Sequence, residues 1–278
     1  MIQKAKEILI KTKRRFFGEN IGNNISVFQG NGLDFSELKE YVYGEDVRKI
    51  NWKVTAREQK PYINVFNEER ELNIVASLMI SGNLYFGTVR QKQELMAEIL
   101  TLIGYSALKN SDKFTTIFFS DKEERFFKPT KNIKSLYPIL EEALLFKTLG
   151  KRIDYKNFSD YLLNRIKRKS ILFIIGDFYE NLDLSFLAAK HEIYAIIVRD
   201  RFEENPSLPF EIDLYDPKTL KSESFYLDKK VLNDFKKEIE NRDKKLKEHF
   251  LKNKIEYTKI YTDEDPFLKL VELFRKQR

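Results

Sequence analysis

Ile171-Leu172-Phe173-Ile174-Ile175, closed by Gly176-Asp177, is a short run of β-branched and aromatic residues with no polar alternation. Such a run fits a strand buried on both faces, and the glycine and acid after it fit a strand end. Ile193 to Val198 (IYAIIV) and Phe114 to Phe119 (FTTIFF) read the same way, and Leu72 to Ser81 supplies a further strand. The stretches between them have helical spacing. From Val89 to Lys109, for example, Leu95, Ile99, Leu102, Ile103 and Ala107 recur at intervals of three and four. Helices are also expected over Asn132 to Phe146, Asn157 to Ile166 and Val231 to Phe250, with a closing helix opened by Asp265-Pro266. Glu124 to Phe127 reads as a hairpin partner of FTTIFF, Phe225 to Leu227 as a short edge strand and Ile255 to Tyr261 as the final strand. Strands alternating with helices predict an α/β fold, a mainly parallel sheet with helices on both faces, over residues 71–278. Residues 1–70 are expected to form an N-terminal helix, Met1 to Phe17, and an irregular region packed on that core, since structureless stretches of this length are uncommon in compact domains.

Composition removes several function classes. The chain of 278 residues has 23 Phe and 14 Tyr, enough buryable surface to exclude a solvated coil. It has no Cys, which excludes disulfide scaffolds, thiol catalysis and iron–sulfur or zinc-ribbon sites, and His191 and His249 are its two imidazoles. No cofactor is expected. The net charge of +7 permits an anionic partner. The basic pairs Lys229-Lys230, Lys236-Lys237 and Lys244-Lys245 are interrupted by Glu238, Glu240 and Asp243, so a solvated helix face is expected and nucleic-acid binding is the alternative. The apolar runs are strand-sized, so no membrane span is expected and the chain reads as cytoplasmic. The first helix, with Lys4, Lys6, Lys11, Lys13, Arg14 and Arg15, could rest peripherally on a lipid surface, but packing on the body of the protein is expected.

No P-loop, nucleophile elbow or H-E-x-x-H occurs, and neither histidine has a nucleophile or acid at a suggestive spacing, so an enzyme is not expected. The pairs Glu68-Glu69, Glu123-Glu124 and Glu203-Glu204 read as surface charges, because neighbours on a strand face opposite ways.

The run from Gly30-Asn31-Gly32 through Tyr41, continuing Gly44-Glu45-Asp46-Val47-Arg48-Lys49-Ile50-Asn51-Trp52-Lys53-Val54-Thr55-Ala56-Arg57, is dense in turn residues and charges. Around Trp52, the acids Asp46, Glu68 and Glu69 accompany the bases Arg48, Arg57 and Arg70. That composition suits a charge-paired corner in which guanidiniums fork onto carboxylates, and this is the use expected. The alternative makes Arg48, Trp52 and Arg57 an exposed partner-binding patch, since Trp and Arg dominate interface energetics.

This run resembles the signature of the bacterial domain-of-unknown-function 58 family. The resemblance extends through Pro61, Phe66, Glu68, Glu69 and Arg70 into a domain similar to the von Willebrand factor A fold, so it implies a von Willebrand factor A-like, Rossmann-type sheet. Members of the family are usually encoded beside a MoxR-type AAA+ ATPase, which implies a non-enzymatic adaptor or chaperone partner of such an ATPase. In that fold a divalent cation sits at the carboxyl edge of the sheet, held by a D-x-S-x-S strand end, a Thr and a late Asp. The matching positions here are Met79, Ser81 and Asn83, with Asp177 as the late acid. A thioether cannot replace a carboxylate for a hard cation, so a degenerate metal site is expected, with Lys151 or Arg152 in the cation's place. Asp177 would then accept hydrogen bonds from nearby donors such as Ser81, and Ser81, Asn83, Tyr85 and Asp177 would form a metal-free crevice for a protein partner.

Overall fold

The computed structural model describes residues 2–18, 35–66, 71–206, 211–226 and 228–275. The chain divides into two compact units, Phe28–Leu72 and a larger one made of Met1–Val27 with Asn73–Arg278. In chain order the elements are α1 (Ile2–Gly18), β1 (Phe35–Glu40), α2 (Trp52–Glu58), β2 (Tyr62–Phe66), β3 (Asn73–Met79), α3 (Lys92–Lys109), β4 (Lys113–Phe119) and β5 (Glu123–Thr130). They continue with α4 (Leu136–Leu145), α5 (Tyr155–Arg165), β6 (Ile171–Gly176), α6 (Ser185–Lys190), β7 (Glu192–Arg199) and α7 (Arg201–Glu204). The last are β8 (Glu211–Tyr215), β9 (Ser222–Tyr226), α8 (Lys229–Lys252), β10 (Glu256–Tyr261) and α9 (Pro266–Arg275).

The larger unit is built on a six-stranded sheet of order β10-β7-β6-β3-β4-β5. Every pairing in it is parallel except β4 with β5, the antiparallel hairpin. Counted by strand order in the sequence this is the doubly wound arrangement 3-2-1-4-5-6, and the order reverses between β3 and β6. The fold is thus the α/β layout expected from the sequence, a mainly parallel Rossmann-type sheet with helices on both faces. Side chains alternate across it. Val75 and Met79 of β3, Ile117 and Phe119 of β4, Leu172 and Ile174 of β6, and Ile193, Ala195 and Ile197 of β7 pack with Phe158 and Leu162 of α5, Leu187 of α6 and Leu246 and Phe250 of α8. The opposite parity, Ile74, Ala76 and Leu78 on β3, is equally buried, and α3, α4 and α9 belong to that side, α3 lying against β3, β4 and β7. Helix α3 is buried along nearly its whole length, so it behaves as a central core helix rather than an amphipathic cover.

The N-terminal helix α1 packs with α3 and α4 in this larger unit, so the grouping of residues 1–70 as one region is corrected. Ala5, Ile8 and Thr12 are its buried stripe, Lys11 bonds Glu98 at 2.6 Å, and Phe16 packs on Tyr105 and Phe267, with ring centroids 5.0 and 5.9 Å apart. One other expectation shifts. The segment around Phe225 pairs with β8 in a separate hairpin rather than at the edge of the main sheet. The six-residue α6 is too short to show helical periodicity in the sequence.

In the smaller unit β1 and β2 pair antiparallel, with a register shift between Phe35 and Glu37. The α2 helix between them is capped by Asn51, whose side chain accepts from the Val54 amide at 3.2 Å, and it ends at Gln59 in the left-handed conformation, φ 55°. Thr55 Oγ1 accepts from the Tyr62 amide at 3.0 Å, tying the helix to the strand.

Candidate functional site

In an open α/β sheet, ligands bind where the strand order reverses, outside the carboxyl ends of the strands. Here that point lies beyond Met79 of β3 and Gly176 of β6. Asp177 directly follows Gly176, and Ser81 follows Met79 after Ile80. Asp177 Oδ2 accepts from Asn83 Nδ2 at 3.1 Å and more weakly from Ser81 Oγ at 3.4 Å. The structure therefore brings Ser81, Asn83 and Asp177 together, with Tyr85 on the same turn and 56% exposed. Ser81 and Asp177 have no exposed surface, so they support the crevice from beneath, and its accessible part is Asn83 and Tyr85. The turn is held by the Gly82 amide, which donates to the Lys151 carbonyl at 3.0 Å. A side chain at Gly82 would meet the Pro217 carbonyl oxygen at 2.1 Å, so the close approach requires glycine.

The buried cation of this site is Lys92, at the start of α3. Its ammonium bonds Glu203 of α7 at 2.5 Å and lies 3.8 Å from Asp177 Oδ2, with no exposed surface. It also sits 5.6 Å from the Tyr179 ring. Burial pushes the Glu203 carboxyl above its ordinary value, against the opposing pull of Lys92. Beyond Tyr179, whose ring lies 3.4 Å from the Arg199 guanidinium carbon, Arg199 reaches Asp243 at 3.3 Å. The hydroxyl of Tyr155 is buried without a hydrogen-bond partner, and burial, reinforced by the Asp177 charge, raises its pKa well above that of a free tyrosine.

These positions correct three expectations. Lys151 does not occupy the cation's place, because it bonds Glu124 at 2.7 Å, and Arg152 is exposed. Glu203 and Glu204 are not surface charges: Glu203 holds Lys92, and Glu204 holds Lys259 at 2.6 Å. Glu124 is likewise largely buried, accepting from Ser120 Oγ at 2.6 Å as well as from Lys151.

The donor set does not fit a divalent cation. Met79 is wholly buried in the apolar cluster under the sheet, where a carbon added to Gly176 would meet its Cβ at 2.8 Å. Asp177 is the carboxylate that Ser81 and Asn83 bond, and it already faces an ammonium, which a cation would have to displace. Among the described residues no group of three or more acids or histidines converges on a metal-sized site.

Asp200, at the end of β7, organises the neighbouring loops. Its carboxylate accepts from the Thr88 amide at 2.8 Å, from Thr88 and Thr262 hydroxyls, and from the Phe202 amide at 2.9 Å. Burial raises its pKa, but these donors outweigh that and hold it below the ordinary value. Both histidines serve the backbone: His191 Nδ1 accepts from the Ser170 amide at 3.2 Å, and His249 Nε2 from the Leu184 amide at 3.1 Å.

In the smaller unit the described members of the expected charge clamp make local pairs. Arg48 reaches Asp46, two positions away, at 3.2 Å, and Arg57 reaches its neighbour Glu58 at 2.9 Å. These side chains remain 89% and 79% exposed, and Trp52 is 70% exposed. Tyr43 is also almost fully exposed, and Ile63 is the fully buried hydrophobic side chain described in this unit. Glu68, Glu69 and Arg70 lie outside the described residues.

No helix is long and apolar enough to cross a membrane among the described residues. In sequence, the chain is 24% identical over 234 residues to an uncharacterized protein of Mycobacterium tuberculosis and equally to one of Mycobacterium bovis, covering 81% of this chain and 74% of each relative. Among solved structures it is similar to the conserved hypothetical protein BatB from Bacteroides thetaiotaomicron, with TM-score 0.46 and 11% identity over 74% of this chain and 99% of that one. A second likeness is an aerotolerance-related membrane protein from Bacteroides fragilis, with TM-score 0.44 and 12% identity over 74% and 99%. The model of the DUF58 family, described as proteins of unknown function, matches residues 37–245, three quarters of the chain. The chain belongs to the DUF58 family.

Proposed function

We propose that this protein is a non-enzymatic interaction module, an adaptor or chaperone partner of a MoxR-type AAA+ ATPase, whose degenerate metal site has become a fixed ionic support. One observation carries the reading: Arg48, Trp52 and Arg57, central to the family signature, hold their side chains largely in solvent, the two guanidiniums pairing with near neighbours along the chain. Exposed tryptophan and arginine are the residue types that anchor protein interfaces. The Asn83 and Tyr85 turn offers a second contact surface. Its supports, Ser81, Asp177 and Lys92, are buried and paired, which suits positioning rather than chemistry.

The test is binding between the purified chain and a MoxR-type ATPase from the same cell, by biolayer interferometry. Wild type is expected to bind, and Trp52→Ala with Arg48→Glu to weaken binding at least about tenfold while leaving the melting temperature unchanged. No binding by wild type, or equal binding by the double variant, contradicts the proposal.

A further inference from the structure

Beside the Asn83 turn opens a cavity of about 820 Å³, within the size range of small-molecule pockets. Its walls are aromatic and aliphatic: Tyr85 and Phe86 come from the turn after β3, Tyr179 from the loop after β6, Phe202 from α7, and Leu232 and Phe235 from the first turns of α8. Nothing in the crevice chemistry above uses this volume.

The polar atoms at its inner end are hydrogen-bond acceptors. Glu203 lines the cavity, and so does Asn83, whose amide nitrogen is committed to Asp177 and whose amide oxygen is not used in that bond. The ammonium that balances Glu203, that of Lys92, has no exposed surface and is shared with Asp177. Behind it the carboxylates Asp177, Glu203, Asp243 and Glu204 are matched by three cations, Lys92, Arg199 and Lys259. The inner end therefore presents the Glu203 carboxylate and the Asn83 amide oxygen among aromatic side chains, groups that attract a cation. A fatty-acid carboxylate would meet repulsion there, whereas an ammonium would meet carboxylate, amide oxygen and aromatic faces together.

We infer that this cavity is a binding site for a small organic cation with an apolar body, its ammonium or amine placed by Glu203 and Asn83 and its apolar part lying between Tyr85, Phe86, Phe202 and Phe235. The cavity shares Asn83 and Tyr85 with the second contact surface proposed above, but its ligand is argued from Glu203 and the aromatic walls and is tested without the ATPase.

The full chain is titrated with the neutral fluorescent probe N-phenyl-1-naphthylamine, which is then displaced by decyltrimethylammonium, decanol or decanoate, each below its micellar concentration. Saturable binding of one dye per chain is expected, with decyltrimethylammonium displacing it at least about tenfold more effectively than decanoate, and Glu203→Gln narrowing that ratio. Val231→Trp, at a wall position 45% exposed in the free chain, fills the mouth and should weaken dye binding. Tyr85→Ala, also at an exposed position, removes a wall and should do the same if Glu203→Gln proves unstable. Absence of saturable dye binding, dye binding indifferent to Val231→Trp and Tyr85→Ala, or displacement by decanoate as readily as by the cation overturns the assignment.

Discussion

The ammonium of Lys92 lies 3.8 Å from the carboxylate of Asp177, and neither side chain has any exposed surface. The pair sits where the strand order reverses, joining the first turn of α3 to the end of β6, while the bond from Lys92 to Glu203 extends it to α7. A buried ion pair is not in itself strongly stabilising, because desolvation offsets much of its attraction, but removing one partner strands the others.

Lys92→Met should therefore destabilise the larger unit by about 3–5 kcal/mol, since it leaves two carboxylates buried without their cation. Urea denaturation followed by circular dichroism measures this. Pairing Lys92→Met with Glu203→Gln should recover part of the loss, and strict additivity of the two changes would argue that they do not interact.

Asp200→Ala should cost roughly 2–4 kcal/mol, because it removes the cap of α7 and leaves the Thr88 amide without its buried acceptor. Hydrogen exchange should show faster exchange at Thr88 and Phe202 than in wild type, with the β6 amides less affected. Uniform acceleration throughout would indicate global rather than local loosening.

His191 carries a pH dependence. Burial lowers its pKa from the ordinary 6.5 to about 4, with a smaller contribution from Lys190. Between those values the unfolded chain takes up a proton that the folded imidazole refuses, so the folded state loses stability as pH falls from about 6.5 to about 4. His191→Asn keeps an acceptor for the Ser170 amide without a titrating ring, and its stability should fall less steeply over that window. Parallel profiles for the two proteins would contradict this assignment.

The exposed signature residues give the opposite expectation. Trp52→Ala should change stability by no more than about 0.5 kcal/mol, as surface substitutions do, because the ring is 70% exposed. A loss of several kcal/mol in thermal melts would mean that Trp52 is a structural keystone after all.

Much of this arrangement was legible before the structure. The buried run ending in Gly176-Asp177 places an acid at the carboxyl edge of a central strand, and Ser81 and Asn83 come from the resemblance to the D-x-S-x-S pattern at the neighbouring strand end. Their mutual contact follows from topology alone, once β3 and β6 are adjacent. Lys92 was not legible: it is one of 50 basic residues, and its burial depends on Glu203, 111 positions away. The same long-range pairing hid the roles of Glu203 and Glu124, which in sequence look like members of solvated acidic pairs. The balanced acids and bases around Trp52 suggested a clamp, whereas the pairs formed by Arg48 and Arg57 join near neighbours along the chain and leave the guanidiniums outside. Composition reports how many charges can pair, but not whether the backbone turns them inward.

An internal ammonium, that of Lys92, balances Asp177 in place of a divalent ion. Isothermal titration of Mg²⁺ into the wild-type chain at neutral pH tests it most directly. No saturable heat is expected, and the same silence from Asp177→Asn. A one-to-one binding isotherm for wild type that Asp177→Asn abolishes would contradict it.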